Sequence, residues 1–204
     1  MQGHLDSPLT EEGLSQARSV GERLSRIGVT AIYSSDLGRA WKTAEEISRR
    51  TGVSVRADVR LRERNLGIFQ GHTEQEIIAQ YPNEWERFLT RDPDYRMPGG
   101  ESSRDRVIRS VAALDEIGLR HEGALAVLVT HGGILDGIFR AVTGLALDLS
   151  RHFKIWNGAV NIISRSARSN DEADDTGGLQ SGGPAGSGAG WMIDLWGEGS
   201  HLPV

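Results

Sequence analysis

Two predicted strand-to-helix turns carry side chains that bind anions. The first, Ser34-Ser35-Asp36-Leu37-Gly38-Arg39, follows a β-prone run and places Arg39 in the first turn of the next predicted helix. The second, Thr130-His131-Gly132-Gly133, follows an apolar run, and its glycines let backbone N–H groups approach an anion at a helix N-terminus. Ligands of open α/β sheets bind beyond the carboxyl ends of the strands. The two turns therefore predict one pocket for a phosphoryl group, with an arginine, a histidine and helix-end amides as donors.

Each of these signals also has a purely structural explanation. An arginine near a helix start is usually a surface residue, and a histidine that ends a buried strand is usually a hydrogen-bonded core residue. What favours a functional site is that Arg39 and His131 occur together, at equivalent strand ends.

Glu63 adds a carboxylate between two arginines, in the predicted loop after the second strand. One interpretation of Arg62-Glu63-Arg64 is a solvated charge cluster. The other is that Glu63 is a general acid that protonates a leaving alkoxide. That role needs a raised pKa, which burial favours and the flanking arginines oppose. The sequence leaves both interpretations open.

The elements around these turns alternate between helical and strand patterns. Residues 124–130 are apolar without alternation, which is typical of a parallel strand covered on both faces. Helices are predicted where a capping residue or a first-turn proline precedes helical apolar spacing. These starts are Thr10, Asp36, Thr73, Pro82 and Ser102 or Ser103. The βαβα order predicts an α/β layer fold with a largely parallel sheet.

One stretch departs from this pattern. Residues 168–190 contain one Leu and no aromatic residue, and seven glycines fall between Gly177 and Gly190. Such a segment buries too little apolar surface to offset the entropy of ordering it, so we expect a flexible loop. A domain linker is the alternative, but the fourteen residues after it are too few to fold alone. We therefore expect a single domain over residues 1–204.

Composition excludes several classes of function. The 204 residues carry 23 Lys and Arg against 28 Asp and Glu, whereas nucleic-acid binding normally needs a basic balance. The absence of Cys excludes disulfides and a Cys nucleophile. No membrane-spanning run, signal peptide or closely spaced metal-ligand set is present. We expect a soluble, cytoplasmic, metal-independent protein without a cofactor, which binds neither nucleic acid nor membrane; its oligomeric state is not readable.

Five segments, in this order, resemble the histidine phosphatase superfamily, which includes the cofactor-dependent phosphoglycerate mutases. They are Gln2–Gly13, Ser34–Ala40 with Thr43-Ala44, Leu61–Gly67, Pro98–Ser102 and Val129–Gly133, and Gly199–Leu202 fits the closing segment of the shorter, phosphatase-like members. The resemblance covers nearly the whole chain outside the glycine-rich stretch. It implies a three-layer α/β/α fold and a phosphomonoester hydrolase or, as an alternative activity, a phosphomutase.

The resemblance also implies roles for particular residues. Arg39 and His131 clamp the phosphoryl oxygens, and Glu63 is the proton donor and acceptor. The implied substrate-binding residues are Gln2, Gly3, Arg64, Asn65, Leu66, Gly132 and Gly133, with Arg87 at the non-reacting end of the substrate. That substrate is a small phosphorylated metabolite, which the sequence does not name.

The sequence departs from the family pattern at the nucleophile. Family members open with a strand that ends in Arg-His-Gly and lies beside the strand ending at His131, but no Arg-His-Gly occurs here. His4 lies in the matching loop without a preceding strand or Arg to orient it. Two interpretations remain open. Either Met1 is an internal methionine of a longer phosphomonoester hydrolase, or the chain is a non-catalytic, phosphate-binding pseudophosphatase.

Overall fold

The structure, a computed structural model, describes residues 1–165 and 190–203. Within these residues, the helices are α1 (Glu11–Leu24), α2 (Gly38–Thr51), α3 (Glu74–Gln80), α4 (Pro82–Leu89), α5 (Ser103–Arg120) and α6 (Gly132–Thr143). The strands are β1 (Ala31–Ser34), β2 (Val55–Ala57), β3 (Ala126–Val129), β4 (Val160–Arg165) and β5 (Trp191–Glu198). The predicted flexible loop at 168–190 lies, apart from its last residue, outside the described residues.

A parallel three-stranded sheet with the order β2-β1-β3 forms the centre of the fold. The apolar run at 124–130 provides β3, as predicted. In the register of β1 and β3, Ser34 lies opposite Val129. Because the strands are parallel, their carboxyl ends lie at one edge, and both predicted anion-binding turns begin there.

Helices cover both faces of this sheet. Ile32 of β1 packs against Leu24 of α1 and Ile47 of α2. Its neighbour Tyr33 points to the opposite face and packs in the same cluster as Ile117 of α5. This alternation confirms the α/β fold with helices on either side of a parallel sheet.

The strands β4 and β5 form a separate antiparallel pair, with Arg165 opposite Trp191. Ile163 of β4 and Leu128 of β3 pack against one apolar cluster. β3 and β4 are nevertheless not hydrogen-bonded to each other. Among the described residues, the edge of β3 that faces away from β1 therefore carries no strand. The resemblance assigns the family's opening strand to a position beside β3.

Most helix starts follow the predicted capping chemistry. The side chains of Thr10, Thr73 and Ser102 cap α1, α3 and α5. Asp36 was expected to cap α2, but this expectation is wrong because its carboxylate accepts two hydrogen bonds from the guanidinium of Arg62. In the described residues, no helix combines the length and the apolar character that crossing a bilayer requires.

Candidate active site

The three predicted site residues Arg39, Glu63 and His131 lie at one edge of the parallel sheet. Arg39 is in the first turn of α2, directly after β1, and His131 is the N-cap of α6, directly after β3. The Glu63 carboxylate reaches the same helix start, where its Oε2 accepts a 2.9 Å hydrogen bond from the N–H of Gly133. The structure thus places Glu63, a loop residue, beside the two side chains that the strand-end argument selected.

His131 is a buried, neutral imidazole. It is 7% exposed, and its Nε2 lies 2.8 Å from the Oγ of Ser35, at the end of β1. Burial, followed by the positive charges of Arg39, His4 and Arg109, lowers the pKa of His131 to about 3. At neutral pH the ring therefore offers one N–H donor and one acceptor, and its charge does not repel the guanidinium of Arg39.

Two backbone N–H groups hold the Glu63 carboxylate. Gly133 donates to Oε2 at 2.9 Å and Arg64 donates to Oε1 at 2.7 Å. A side-chain carbon at position 133 would lie 2.2 Å from Oε1 of Glu63, so glycine is required for the carboxylate to reach the helix. Gly133, expected with Gly132 to line the phosphate site, instead gives its N–H to Glu63 because a carboxylate is itself stabilised at a helix N-terminus.

Arg39 anchors the N-terminal loop. Its Nη2 donates to the carbonyl of Gly3 at 2.9 Å, and its Nη1 donates to the carbonyl of Leu5 at 3.0 Å. This contact places Gly3 beside Arg39, and the phosphate contact that the resemblance implies for Gly3 stays a prediction. Gln2 is exposed and its side chain donates to the hydroxyl of Ser7, so its side chain is engaged within the loop.

The same loop brings His4 into the site. The Nε2 of His4 lies 2.7 Å from the carbonyl oxygen of Glu63, which requires that Nε2 carry the proton. His4 also contributes to the low pKa of His131, so its ring lies within electrostatic reach of that imidazole.

Two of the implied substrate-binding side chains are engaged with protein groups. Arg64 donates from Nη1 to the hydroxyl of Ser103 at 3.0 Å and from Nε to the carbonyl of Glu101 at 3.1 Å. Burial lowers its pKa to about 10. The Asn65 side chain accepts the N–H of Gly67 at 2.9 Å. Both side chains therefore stabilise the loop that carries Glu63.

Leu66 belongs to an apolar cluster beside that loop, and Arg87 contacts the same cluster. Leu66 packs against the buried residues Phe69 and Met97. The Arg87 guanidinium lies 4.5 Å from the ring centroid of Tyr95 in a cation–π contact. The structure shows a packing role for both side chains, and the substrate contact implied for them stays a prediction.

Arg109 of α5 is a supporting residue that sequence reasoning missed. It donates to the carbonyls of Arg60 at 2.6 Å and Glu63 at 3.0 Å, and it forms a 2.6 Å ion pair with Glu101. These contacts fix the loop on which Glu63 lies. The only sequence signal is the position of Arg109 eight residues after Glu101, about two helical turns, which does not distinguish it from a surface ion pair.

The arrangement combines anion binding with proton transfer. Arg39 and His131 supply hydrogen-bond donors, and Glu63 supplies a carboxyl group that can give or take a proton. In residues 1–165 and 190–203, no group of three or more His, Cys, Asp or Glu side chains is placed to hold a metal ion. The side chains present are thus suited to the transfer of a negatively charged group by acid–base chemistry.

Sequence comparison matches the chain to one family. The profile of the histidine phosphatase superfamily, branch 1, matches residues 1–172. Phosphoglycerate mutase-like protein 4 of Arabidopsis thaliana is 36% identical over 205 residues, which cover 99% of this chain and 79% of that protein.

Solved structures give the same result. The protein YhfR of Bacillus stearothermophilus is 31% identical with a TM-score of 0.82, over 100% of this chain and 91% of that one. A mycobacterial glucosyl-3-phosphoglycerate phosphatase, solved with VO3, is 31% identical with a TM-score of 0.75, over 98% of this chain and 91% of that one. Sequence similarity and structural similarity therefore both extend over nearly the whole chain.

Proposed function

This chain belongs to the histidine phosphatase superfamily, and we propose on that basis that it is a phosphomonoester hydrolase. The observation that carries the proposal is the meeting of Arg39, Glu63 and His131 at one sheet edge. A phosphatase among the similar structures supports hydrolysis, while a mutase-like relative supports the alternative phosphomutase activity. The proposed substrate is a small phosphorylated metabolite of the cytoplasm.

In this proposal, Arg39 and His131 bind the phosphoryl oxygens. The Arg39 guanidinium donates its hydrogen bonds to the neutral carbonyls of Gly3 and Leu5. A phosphate oxygen adds a negative charge on the acceptor side, which a neutral carbonyl lacks, so an entering dianion can displace these carbonyls. The neutral ring of His131 donates one further hydrogen bond to the negative charge that spreads over the equatorial oxygens.

Glu63 is the proposed proton donor. In the reaction of this type, an imidazole nitrogen attacks phosphorus, and the P–N bond forms while the bond to the leaving oxygen breaks. The leaving alkoxide takes the proton of the Glu63 carboxyl group. Water then attacks phosphorus, and the new P–O bond forms while the P–N bond breaks. The water gives a proton back to the carboxylate, and the free imidazole and phosphate are released. The imidazole has to be supplied from beside β3, at the strand edge nearest to His131.

The positions of Arg39 and His131 support a second candidate function. These two residues are the groups proposed to bind an anion, and anion binding alone does not need a nucleophile. In this alternative the protein is a pseudophosphatase that binds phosphate and does not turn it over.

A strand ending in Arg-His-Gly, joined ahead of Met1 by a flexible link, separates the two candidates. We expect it to raise the hydrolysis of p-nitrophenyl phosphate by at least about 10³-fold over the 204-residue chain, because it opens the covalent route. The matched control carries Arg-Asn-Gly in the same strand. Equal rates with His and with Asn would contradict the hydrolase proposal, and phosphate binding without turnover would favour the pseudophosphatase.

A further inference from the structure

Arg106 of α5 is a buried cation to which the site as described gives no role. It is 9% exposed, and burial is the main reason why its pKa is lowered. Within the described part of the chain, its Nε is buried without a hydrogen-bond partner. Its contact with Asp136, from Nη2 to Oδ2, spans 3.6 Å, which is longer than a hydrogen bond. A buried and incompletely paired guanidinium is costly, so its position needs an explanation.

The guanidinium of Arg106 faces the carboxylate of Glu63. A side-chain carbon at Gly133 would lie 3.0 Å from Nη1 of Arg106 and 2.2 Å from Oε1 of Glu63. The cation and the carboxylate therefore flank the same point at the start of α6. The charges of Glu63 and Asp136 both oppose the lowering of the Arg106 pKa. Glu63 is thus a second counter-charge of Arg106, besides Asp136.

We propose that Arg106 is a positioning residue that holds the Glu63 carboxylate at the N-terminus of α6 by charge attraction across Gly133. The inference rests on the proposed function, in which Glu63 is the proton donor. An anion bound beside Glu63 repels its carboxylate and favours its protonated form. Arg106 opposes this protonation, so it sets the pH at which proton uptake accompanies anion binding.

Other charged or titratable groups also surround the Glu63 carboxyl group. They are Arg64 of its own loop, Arg109 of α5, His4 of the N-terminal loop and His131 at the start of α6. Arg64 and Arg109 give their hydrogen bonds to other protein groups. Arg106 differs from them because, among the described residues, its Nε has no hydrogen-bond partner and its contact with Asp136 spans 3.6 Å.

Calorimetric titration with sulfate, between about pH 4 and about pH 8, tests this inference on the 204-residue chain. Sulfate stays a dianion over this range, so the pH dependence of its affinity reports the protein alone. For Arg106→Met, we expect the pH midpoint of sulfate binding to rise by about one unit, since an opposite charge at this range favours ionisation by at least that much. The matched control, Arg106→Lys, keeps the charge and should keep the midpoint of the unmodified chain.

Each outcome of this titration is decisive. An unchanged midpoint in folded Arg106→Met would overturn the inference and leave the proposed function intact. If the unmodified chain bound no sulfate at any pH, the proposed function would fail, and the role of Arg106 would fail with it.

Asp136→Asn provides a second variant, whose expected effect has the opposite sign. Asp136 lies 3.6 Å from Nη2 of Arg106 and also forms a 3.1 Å ion pair with Arg140. Without this carboxylate, more of the Arg106 charge acts on Glu63, so the midpoint should fall. A merely structural role for Arg106 predicts no such pair of opposite shifts. If Arg106→Met does not fold, Asp136→Asn decides alone, and an unshifted midpoint overturns the inference.

Discussion

The strands β1 and β3 each carry one half of the candidate site, but they are embedded differently. β1 pairs on both edges, and its four residues Ala31–Ser34 are each no more than 4% exposed. Among residues 1–165 and 190–203, β3 pairs only with β1, and all four of its residues are half-buried. Within this part of the chain, Arg39 therefore follows a strand paired on both edges, whereas His131 follows a strand paired on one edge. The half of the site on β3 therefore depends on contacts other than strand pairing.

One of these contacts joins the half of the site on β3 to the half on β1. The imidazole of His131 is bonded to the hydroxyl of Ser35, which follows β1. A second comes from the Glu63 loop, whose residue Leu61 accepts a 2.8 Å hydrogen bond from the Thr130 hydroxyl. These bonds keep His131 buried although its strand is half-exposed.

The largest expected difference between the two strands is in packing. Ile32→Ala on β1 should lower the free energy of unfolding by about 4 kcal/mol, because its side chain is fully buried and leaves a cavity. Leu128→Ala on β3 removes the same number of carbon atoms from a half-buried position and should cost about half as much. Urea denaturation of both variants measures the difference. Equal losses would show that β3 is as completely embedded as β1.

A smaller effect concerns the pH dependence of stability. Because the pKa of His131 falls to about 3 from its ordinary 6.5 on folding, the unfolded chain takes up this proton first as the pH falls. The neutral imidazole therefore makes its full contribution to the free energy of unfolding above pH 6.5. This contribution is lost as the pH falls from 6.5 to about 3. At about pH 5 the loss is about 2 kcal/mol.

His131→Asn isolates this contribution from the other titrating groups. The variant should lose about 2 kcal/mol less unfolding free energy than the unmodified chain between about pH 7.5 and about pH 5. Thermal or urea unfolding at the two pH values provides the measurement. Parallel losses in the two proteins would mean that His131 is not held neutral by the fold.

The fold followed from local patterns in the sequence. The continuous apolar run before Thr130 predicted β3, and capping residues such as Thr73 predicted helix starts, because these signals involve neighbours in the chain. The rule that parallel strands align their carboxyl ends then brought Arg39 and His131 together. This part of the site needed no knowledge of side-chain contacts.

The remaining features depend on contacts between distant segments. The bond from Gly133 to Glu63 joins residues 70 positions apart, and no local pattern indicates that this N–H is taken by a carboxylate. Arg64 and Arg106 are alike in the sequence as arginines near the site. Only their packing distinguishes them. Arg64 donates hydrogen bonds to a protein carbonyl and a hydroxyl, whereas the Nε of Arg106 donates none among the described residues.

We infer that Arg39, Glu63 and His131 converge on one site for a tetrahedral anion. Phosphate titration of matched variants tests this claim. We expect Arg39→Met and His131→Asn each to weaken phosphate binding by about 10-fold to 100-fold, as loss of a charge-assisted or buried hydrogen bond costs about 1.5–3 kcal/mol. The control Lys42→Met, one turn further along α2, should bind phosphate as the unmodified chain does. Unweakened binding in both site variants would contradict the claim.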